Sequence, residues 1–355
     1  MAAGEVDSDS IRVMVVDDSA VARQAVVAAL NRADGLVPVG IAANGRVALD
    51  RLDLMQPDVM VLDLEMPELD GIATLRELRR SHPDLPVVVF SNLTSRGAAA
   101  TLEALAAGAS AFALKPTTIG AGANSLNTDL IPLVVALGRR SSAMPQPAQP
   151  TSHLLPRVRR AGPASAVVIG VSTGGPAALT TLIGALPGDL RAPVLIVQHM
   201  PPVFTRLLAE RLNGQAAVSV TEATAGERVR PGHVYIAPGG HHLQLVRNGQ
   251  TVELALDDGP PENSCRPAAD VLFRSAAAAY GSDLLGIVLT GMGSDGTHGA
   301  EAIHNAGGSV IVQDPTSAVI GSMPSAVISA GLSDAEVPIE LMAAEIAART
   351  GVGRP

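Results

Sequence analysis

The sequence predicts an α/β protein of two domains, and three observations carry that reading. Short aliphatic runs alternate with amphipathic stretches along most of the 355 residues, a Pro/Ser-rich break divides the alternation, and the cores must be filled by aliphatic side chains. A chain of this length exceeds one ordinary core and fits two of roughly 150 to 200 residues. Hydrophobic residues make up 47% of it with no Trp, two Tyr and four Phe, so Val, Leu, Ile and Ala do the filling, as suits parallel sheets covered by helices.

In the first half the strand candidates are Arg12–Val16, Val37–Ile41, Asp58–Leu62, Val87–Ser91 and Ala111–Leu114, each followed by a polar turn and an amphipathic segment. Five such units predict a five-stranded parallel sheet within residues 1–140. Over residues 141–163 the pattern gives way to Ser-Ser-Ala-Met-Pro-Gln-Pro-Ala-Gln-Pro-Thr-Ser and then the basic Arg157-Val-Arg-Arg, which reads as a linker, extended where proline is dense. The alternation resumes with Val167–Val171, Val194–Val197, Val218–Val220, His233–Ala237, Leu284–Thr290 and Ser309–Val312. Leu243–Val246 and Thr251–Leu254, joined by Asn248-Gly249, read as a hairpin, because that pair accepts the positive φ of a tight turn. Residues 164–355 therefore predict a doubly wound α/β domain with an added β-hairpin.

A net charge of −9 and the near absence of aromatic residues argue against a nucleic-acid surface. The single cysteine, Cys265, excludes an intramolecular disulfide; it has no local partner pattern, and a buried or incidental thiol is the expectation. The first residues have no basic and apolar regions of a signal peptide, and no apolar run reaches spanning length. The expected setting is the cytoplasm, without membrane insertion.

Candidate functional residues fall at strand ends. Asp17 and Asp18 follow Val13-Met-Val-Val, Asp63 follows Val59-Met-Val-Leu, Ser91 ends Val87-Val-Val-Phe and Lys115 ends Ala111-Phe-Ala-Leu. If these runs are parallel strands, all five residues lie at the carboxyl edge, where open α/β sheets build sites. Three converging carboxylates repel one another unless a hard, oxygen-seeking cation joins them, and Mg²⁺ is the natural one. Lys115 is the chain's only lysine among 25 basic residues, a compact charge able to reach one phosphoryl oxygen. An aspartate beside that ion and that ammonium is suited to attack a phosphoryl group.

In the second half, Ala166-Val-Val-Ile-Gly-Val171 breaks into Ser172-Thr-Gly-Gly-Pro176 and a helical stretch. A serine in such a turn projects from the sheet edge, and the glycines let the backbone come close. The dinucleotide fingerprint wants Gly where Ser172 stands and an acid about twenty residues on, and both are missing. His199 ends another strand, and Asp295 lies in the Gly-rich loop Thr290-Gly-Met-Gly-Ser-Asp-Gly296. Serine needs a base to take its proton and an acid to orient that base, and these residues supply both in the order Ser, His, Asp. The α/β-hydrolase order is Ser, Asp, His, so that fold is not implied. His298 is a weaker candidate base at a helix start; His233, His241 and His242 lack the spacing of a zinc site, and no cofactor is expected in this half. Two non-hydrolase alternatives are a first domain joined to a noncatalytic receptor- or kinase-binding module and, disfavoured by the acidic balance, a DNA-binding regulator.

Val-Val-Asp17-Asp18-Ser, Val-Leu-Asp63-Leu-Glu-Met-Pro, Phe90-Ser91-Asn and Leu-Lys115-Pro116 resemble the response-regulator receiver domain, a flavodoxin-like fold. The resemblance implies phosphorylation of Asp63 by a histidine kinase, Mg²⁺ held by Asp17, Asp18 and Asp63, and Ser91 and Lys115 answering the phosphoryl group. Ser91 stands where threonine is frequent and Phe112 where many receivers have tyrosine. Gly-Val-Ser172-Thr-Gly-Gly, Gln198-His199-Met-Pro-Pro, Pro231-Gly-His-Val-Tyr-Ile-Ala-Pro-Gly, Arg266-Pro-Ala-Ala-Asp-Val-Leu-Phe and Leu-Thr-Gly-Met292-Gly-Ser-Asp295-Gly resemble the CheB-type protein-glutamate methylesterases of bacterial chemotaxis. That resemblance implies Ser172 as nucleophile, His199 as base, Asp295 as orienting acid, the Met292 amide as oxyanion donor and Thr173 beside the site. It further implies methylated chemoreceptors as substrates, glutamine deamidation as a second activity, and a receiver that blocks the catalytic edge until phosphorylated.

Overall fold

The computed structural model describes residues 10–116, 126–142 and 163–352, which belong to two compact units, each built on its own sheet. In the first, β1 (Ile11–Val16), β2 (Leu36–Ala42), β3 (Val59–Asp63), β4 (Val87–Ser91) and β5 (Ala111–Leu114) lie in the order β2-β1-β3-β4-β5, and every pairing is parallel. The central β3 and β4 are buried along their whole length, which is why they read as unbroken apolar runs. Helices α1 (Ala20–Leu30), α2 (Gly45–Met55), α3 (Gly71–Ser81) and α4 (Ser95–Ala106) alternate with the strands, and α5 (Ile131–Ser142) follows a π turn at Leu126–Leu130. Ser19, Asn44, Asp70 and Thr94 cap the first four by accepting the amides of Ala22, Val47, Ala73 and Gly97, contacts worth about 1 kcal/mol each.

The second unit holds β6 (Ala166–Val171), β7 (Val194–Gln198), β8 (Ser219–Glu222), β9 (His233–Ile236), β10 (His242–Asn248), β11 (Thr251–Asp257), β12 (Leu284–Val288), β13 (Ser309–Gln313) and β14 (Ala335–Val337). Seven of these form a parallel sheet in the order β14-β13-β12-β6-β7-β9-β8, while β10 and β11 pair as an antiparallel hairpin. Winding reverses between β6 and β12, the switch point at which open α/β sheets place their sites. Helices α6 (Gly175–Gly184), α7 (Phe204–Asn213) and α11 (Ile339–Thr350) pack as one group; α8 (Ala269–Tyr280), α9 (Thr297–Asn305) and α10 (Ser322–Ser329) pack as another. The hairpin joins α8 over one core, where Leu243, Leu254, Phe273 and Tyr235 are all buried against Val168 and Val197. Burying one such large side chain is worth roughly 1.5–3 kcal/mol.

Two local expectations change. Asn248 pairs with Thr251, so the hairpin loop is Gly249-Gln250 rather than Asn248-Gly249, with Gly249 taking the positive φ of 62°. β14 was not expected: it is a three-residue edge strand whose Glu336 is exposed, too short for an alternation to register. The expected linker, 141–163, lies outside the described residues except at its ends, where 141 and 142 complete α5. Among the described residues no helix is long and apolar enough to cross a membrane.

Candidate functional site

Register brings the serine and histidine together. Val171 pairs with Gln198, so Ser172 and His199 leave adjacent parallel strands at the same level, and strands of this kind lie about 4.8 Å apart. The His199 amide donates to the Val171 carbonyl at 3.1 Å, and the Ser172 amide donates to the Thr290 carbonyl at 3.0 Å, which ties the end of β6 to the loop after β12. That loop comes so near that a Cβ on Gly291 would stand 2.7 Å from Ser172 Cβ. Gly174, with φ 80°, makes the left-handed turn into α6.

The carboxylate comes from the loop between β12 and α9. Asp295 Oδ2 lies 2.7 Å from His199 Nε2 and also accepts the Ala269 amide at 2.6 Å. Its Oδ1 accepts from Asn263 Nδ2 at 3.0 Å, the Asp270 amide at 3.1 Å and the Gly296 amide at 3.0 Å. Burial works to raise the Asp295 pKa, but the hydrogen bond and charge of His199, with the backbone amides, outweigh it and hold the carboxyl below its ordinary range. For His199 burial works downward, and the hydrogen bonds to Asp295 and then Cys265 overcome it, lifting the imidazole from 6.5 to about 9. The other ring nitrogen, Nδ1, faces Cys265 Sγ at 3.5 Å.

The structure thus joins His199 to Asp295 directly, while Ser172 Oγ, half-buried beside them, makes no hydrogen bond with any described residue. Thr173 is fixed through its carbonyl, which accepts Thr290 Oγ1 at 2.8 Å. In the loop against Ser172, Gly291 N–H donates to the Ile320 carbonyl and Gly293 N–H to Ser322 Oγ, whereas the Met292 amide between them has no partner among the described residues. An uncommitted N–H next to a serine is what an oxyanion requires.

Sequence reasoning missed Asn263, Asp270 and Gln198, and it did not anticipate the contact of the half-buried Cys265 with the imidazole. Asp270 is wholly buried; its Oδ1 accepts the Gly296 and Gly299 amides and its Oδ2 accepts Asn263 Nδ2. A lone acid inside an apolar helix start was the available signal for Asp270; nothing in the local pattern marked Asn263. His298 is exposed in the first turn of α9. His241 pairs with Asp258, His242 sits between the Pro260 carbonyl and the Ala268 amide, and His233 meets Thr221.

In the first unit Asp17, Asp18 and Asp63 each offer an oxygen within 4.8 Å of the others. Lys115 Nζ lies 2.8 Å from both Asp17 Oδ2 and Asp63 Oδ2. Burial raises the Asp63 pKa, only partly countered by Lys115; burial also works to lower that of Lys115, but its two carboxylate partners outweigh it and hold the ammonium above its ordinary value. Ser91 Oγ points inward, accepting Thr101 Oγ1 at 2.8 Å. Two buried carboxylates and one exposed one, all hard oxygen donors, fit a divalent ion of the Mg²⁺ type.

An acidic pocket heading a five-stranded parallel sheet, in one chain with a hydrolase-like trio on a second sheet, is the make-up of a response regulator whose output unit is an enzyme. The response-regulator receiver model matches residues 13–126 and the CheB methylesterase model residues 167–346. A protein-glutamate methylesterase/protein-glutamine glutaminase of Trichodesmium erythraeum is 43% identical over 352 residues, covering 96% of this chain and 99% of that protein. One of the same name from a Nocardioides species is 45% identical over 97% of each chain. The crystal structure of the Thermotoga maritima CheB methylesterase catalytic domain, 43% identical, superposes with a TM-score of 0.51 and covers 52% of this chain and 97% of that one. The chain belongs to the CheB methylesterase family.

Proposed function

We propose that this chain is a phosphorylation-regulated serine hydrolase that demethylates glutamyl methyl esters on chemoreceptors, releasing methanol, and deamidates receptor glutamines, releasing ammonia. The observation that carries the reading is the 2.7 Å His199–Asp295 contact at the sheet's switch point, one strand from Ser172. Ser172 Oγ attacks the ester carbonyl carbon as its proton passes to the imidazole. Because Nε2 is engaged by Asp295, Nδ1 is the atom that receives it. The developing oxyanion meets the Met292 amide, with Thr173 alongside; one such donor is typically worth roughly 3 kcal/mol. The imidazolium then protonates the departing methoxide, and water, deprotonated by the same imidazole, cleaves the acyl-serine to glutamate. Asp295 orients the ring and stabilises its charged form throughout.

Domains of 1–140 and 164–355 about a linker at 141–163 belong to the same proposal, as does a cytoplasmic location. Asp63 is the phosphoryl acceptor, a histidine kinase the donor, and Asp17, Asp18 and Asp63 the ligands of Mg²⁺, which would neutralise charge on the phosphoryl oxygens. Lys115, already held between two of those carboxylates, would contact a phosphoryl oxygen, and Ser91 would turn from Thr101 to meet it. The test is methanol release from methylated receptor membranes with and without acetyl phosphate. Ser172→Ala should lose release yet accept phosphate, and Asp63→Asn should keep basal release without stimulation. Full hydrolysis by Ser172→Ala would end the reading.

A further inference from the structure

The turn between β11 and α8 lays two side chains on the His199–Asp295 pair that the mechanism above leaves unused. Asn263 and Ser264 stand at φ 53° and 62°, left-handed conformations that non-glycine residues seldom adopt. The turn is closed by Glu262 N–H to the Cys265 carbonyl at 3.0 Å and Cys265 N–H to the Glu262 carbonyl at 2.9 Å, and the Arg274 fork grips both oxygens of Glu262 at 2.6 Å, bracing it on α8. Asn263 Nδ2 thereby reaches Asp295 Oδ1 at 3.0 Å and Asp270 Oδ2 at 2.9 Å, and Cys265 Sγ reaches His199 Nδ1 at 3.5 Å.

We propose that the turn Glu262–Cys265 is a positioning device for the catalytic pair, in which Asn263 fixes the Asp295 carboxylate and Cys265 is the resting partner of Nδ1. The inference rests on the hydrolase reading above. An imidazole held through Nε2 can still swing about that bond, so its basic atom needs a second contact to stay aimed. Sulfur supplies one while remaining easy to displace, since it is only a weak acceptor of the Nδ1–H of the protonated ring. The contact also governs readiness: while Nδ1–H is donated to the sulfur the ring is an imidazolium, and an imidazolium cannot accept the proton of Ser172. The titratable groups facing the ring are Asp295, from the loop after β12, and Cys265, from this turn; Asp270 of α8 lies behind Asp295, and Glu262 is neutralised by Arg274. Both Asp295 and Cys265 raise the proton affinity of His199.

Asn263 acts on the other partner. Its amide has two hydrogens and serves two neighbouring carboxylates, one per group, which lets Asp270 and Asp295 coexist at the start of α9. Without it Asp295 Oδ1 keeps only the Asp270 and Gly296 amides, and the carboxylate can turn out of line with Nε2.

Two measurements on the full chain test the device. NMR titration of the His199 ring is made in Ser172→Ala, which does not turn over, with and without Cys265→Ala; pH profiles of kcat/KM are made with Ser172 intact. Cys265→Ala should lower the His199 midpoint by at least about 0.5 unit, and the rising limb of kcat/KM should move the same way. Cys265→Ser, which retains an acceptor, should shift it less. Asn263→Ala should lower kcat by roughly tenfold or more with KM little changed. An unmoved His199 titration in Cys265→Ala, or wild-type kcat in Asn263→Ala, would overturn the proposal. Hydrolysis persisting in Ser172→Ala would instead overturn the hydrolase reading, and the ring titration would still decide the role of Cys265.

Discussion

Gln198 and Ser172 are bound to each other through backbone and side chain: the buried Gln198 amide donates Nε2–H to the Ser172 carbonyl at 2.9 Å and stands 3.3 Å from the His199 carbonyl. One side chain therefore holds the main chain of both the nucleophile and its base. Its Oε1 is pressed against Gly175, where a Cβ would overlap it.

Replacing Gln198 with Leu removes both donors while filling the space. The expected cost is about 1–3 kcal/mol of stability, and kcat should fall more than KM rises. Thermal melting and methanol-release kinetics measure the two effects. Wild-type kcat in this variant would show that the serine turn holds itself.

The pH dependence follows from His199. Its folded pKa, about 9, lies above the ordinary 6.5, so the pair with Asp295 contributes stability fully present below about pH 6.5 and lost as pH rises through about 9. Hydrolysis needs the neutral ring, so kcat/KM should climb through the same window. A profile already flat from pH 7 upward, with a His199 midpoint near 6.5, would contradict it.

Asp270 is the second anchor of the site. Asp270→Ala would strand the Gly296 and Gly299 amides as well as Asn263, at an expected cost of roughly 2–4 kcal/mol, read from urea unfolding. Asp270→Asn, which keeps acceptor oxygen, should cost less. Equal stability of Asp270→Ala and wild type would mean that water replaces the carboxylate freely.

In the receiver, Lys115→Ala would leave Asp17 and Asp63 facing each other without their shared ammonium. The Asp63 pKa, already raised by burial, should rise further, and labelling from acetyl phosphate should fall by roughly tenfold or more. Chelating Mg²⁺ should stop labelling in the wild type while basal methanol release continues. Loss of basal release on chelation would place the metal in the hydrolase unit instead.

Much of this was legible from strand ends. Val-Val-Asp17, Val-Leu-Asp63, Val171-Ser172 and Gln198-His199 each join an aliphatic run to a reactive side chain, and parallel strands carry such residues to one edge. Asn263, Cys265 and Asp270 were harder to foresee because turn and helix residues are aimed by tertiary contacts, here two left-handed backbones and a brace from Arg274, that no spacing encodes. Edge strand β14 was hidden by its brevity. Asp18 illustrates a further limit: adjacent to Asp17 in sequence, it is exposed where Asp17 is buried.

Strands β6 and β12 are neighbours in the sheet but far apart in the chain, with β7 to β11 and α6 to α8 between them. Ser172 is therefore synthesised long before Asp295, and the long-range pairing that unites them is a slow, late event. A nascent or prematurely ended polypeptide would carry the serine turn with no oriented base, and hydrolytic competence would arrive only with nearly complete translation.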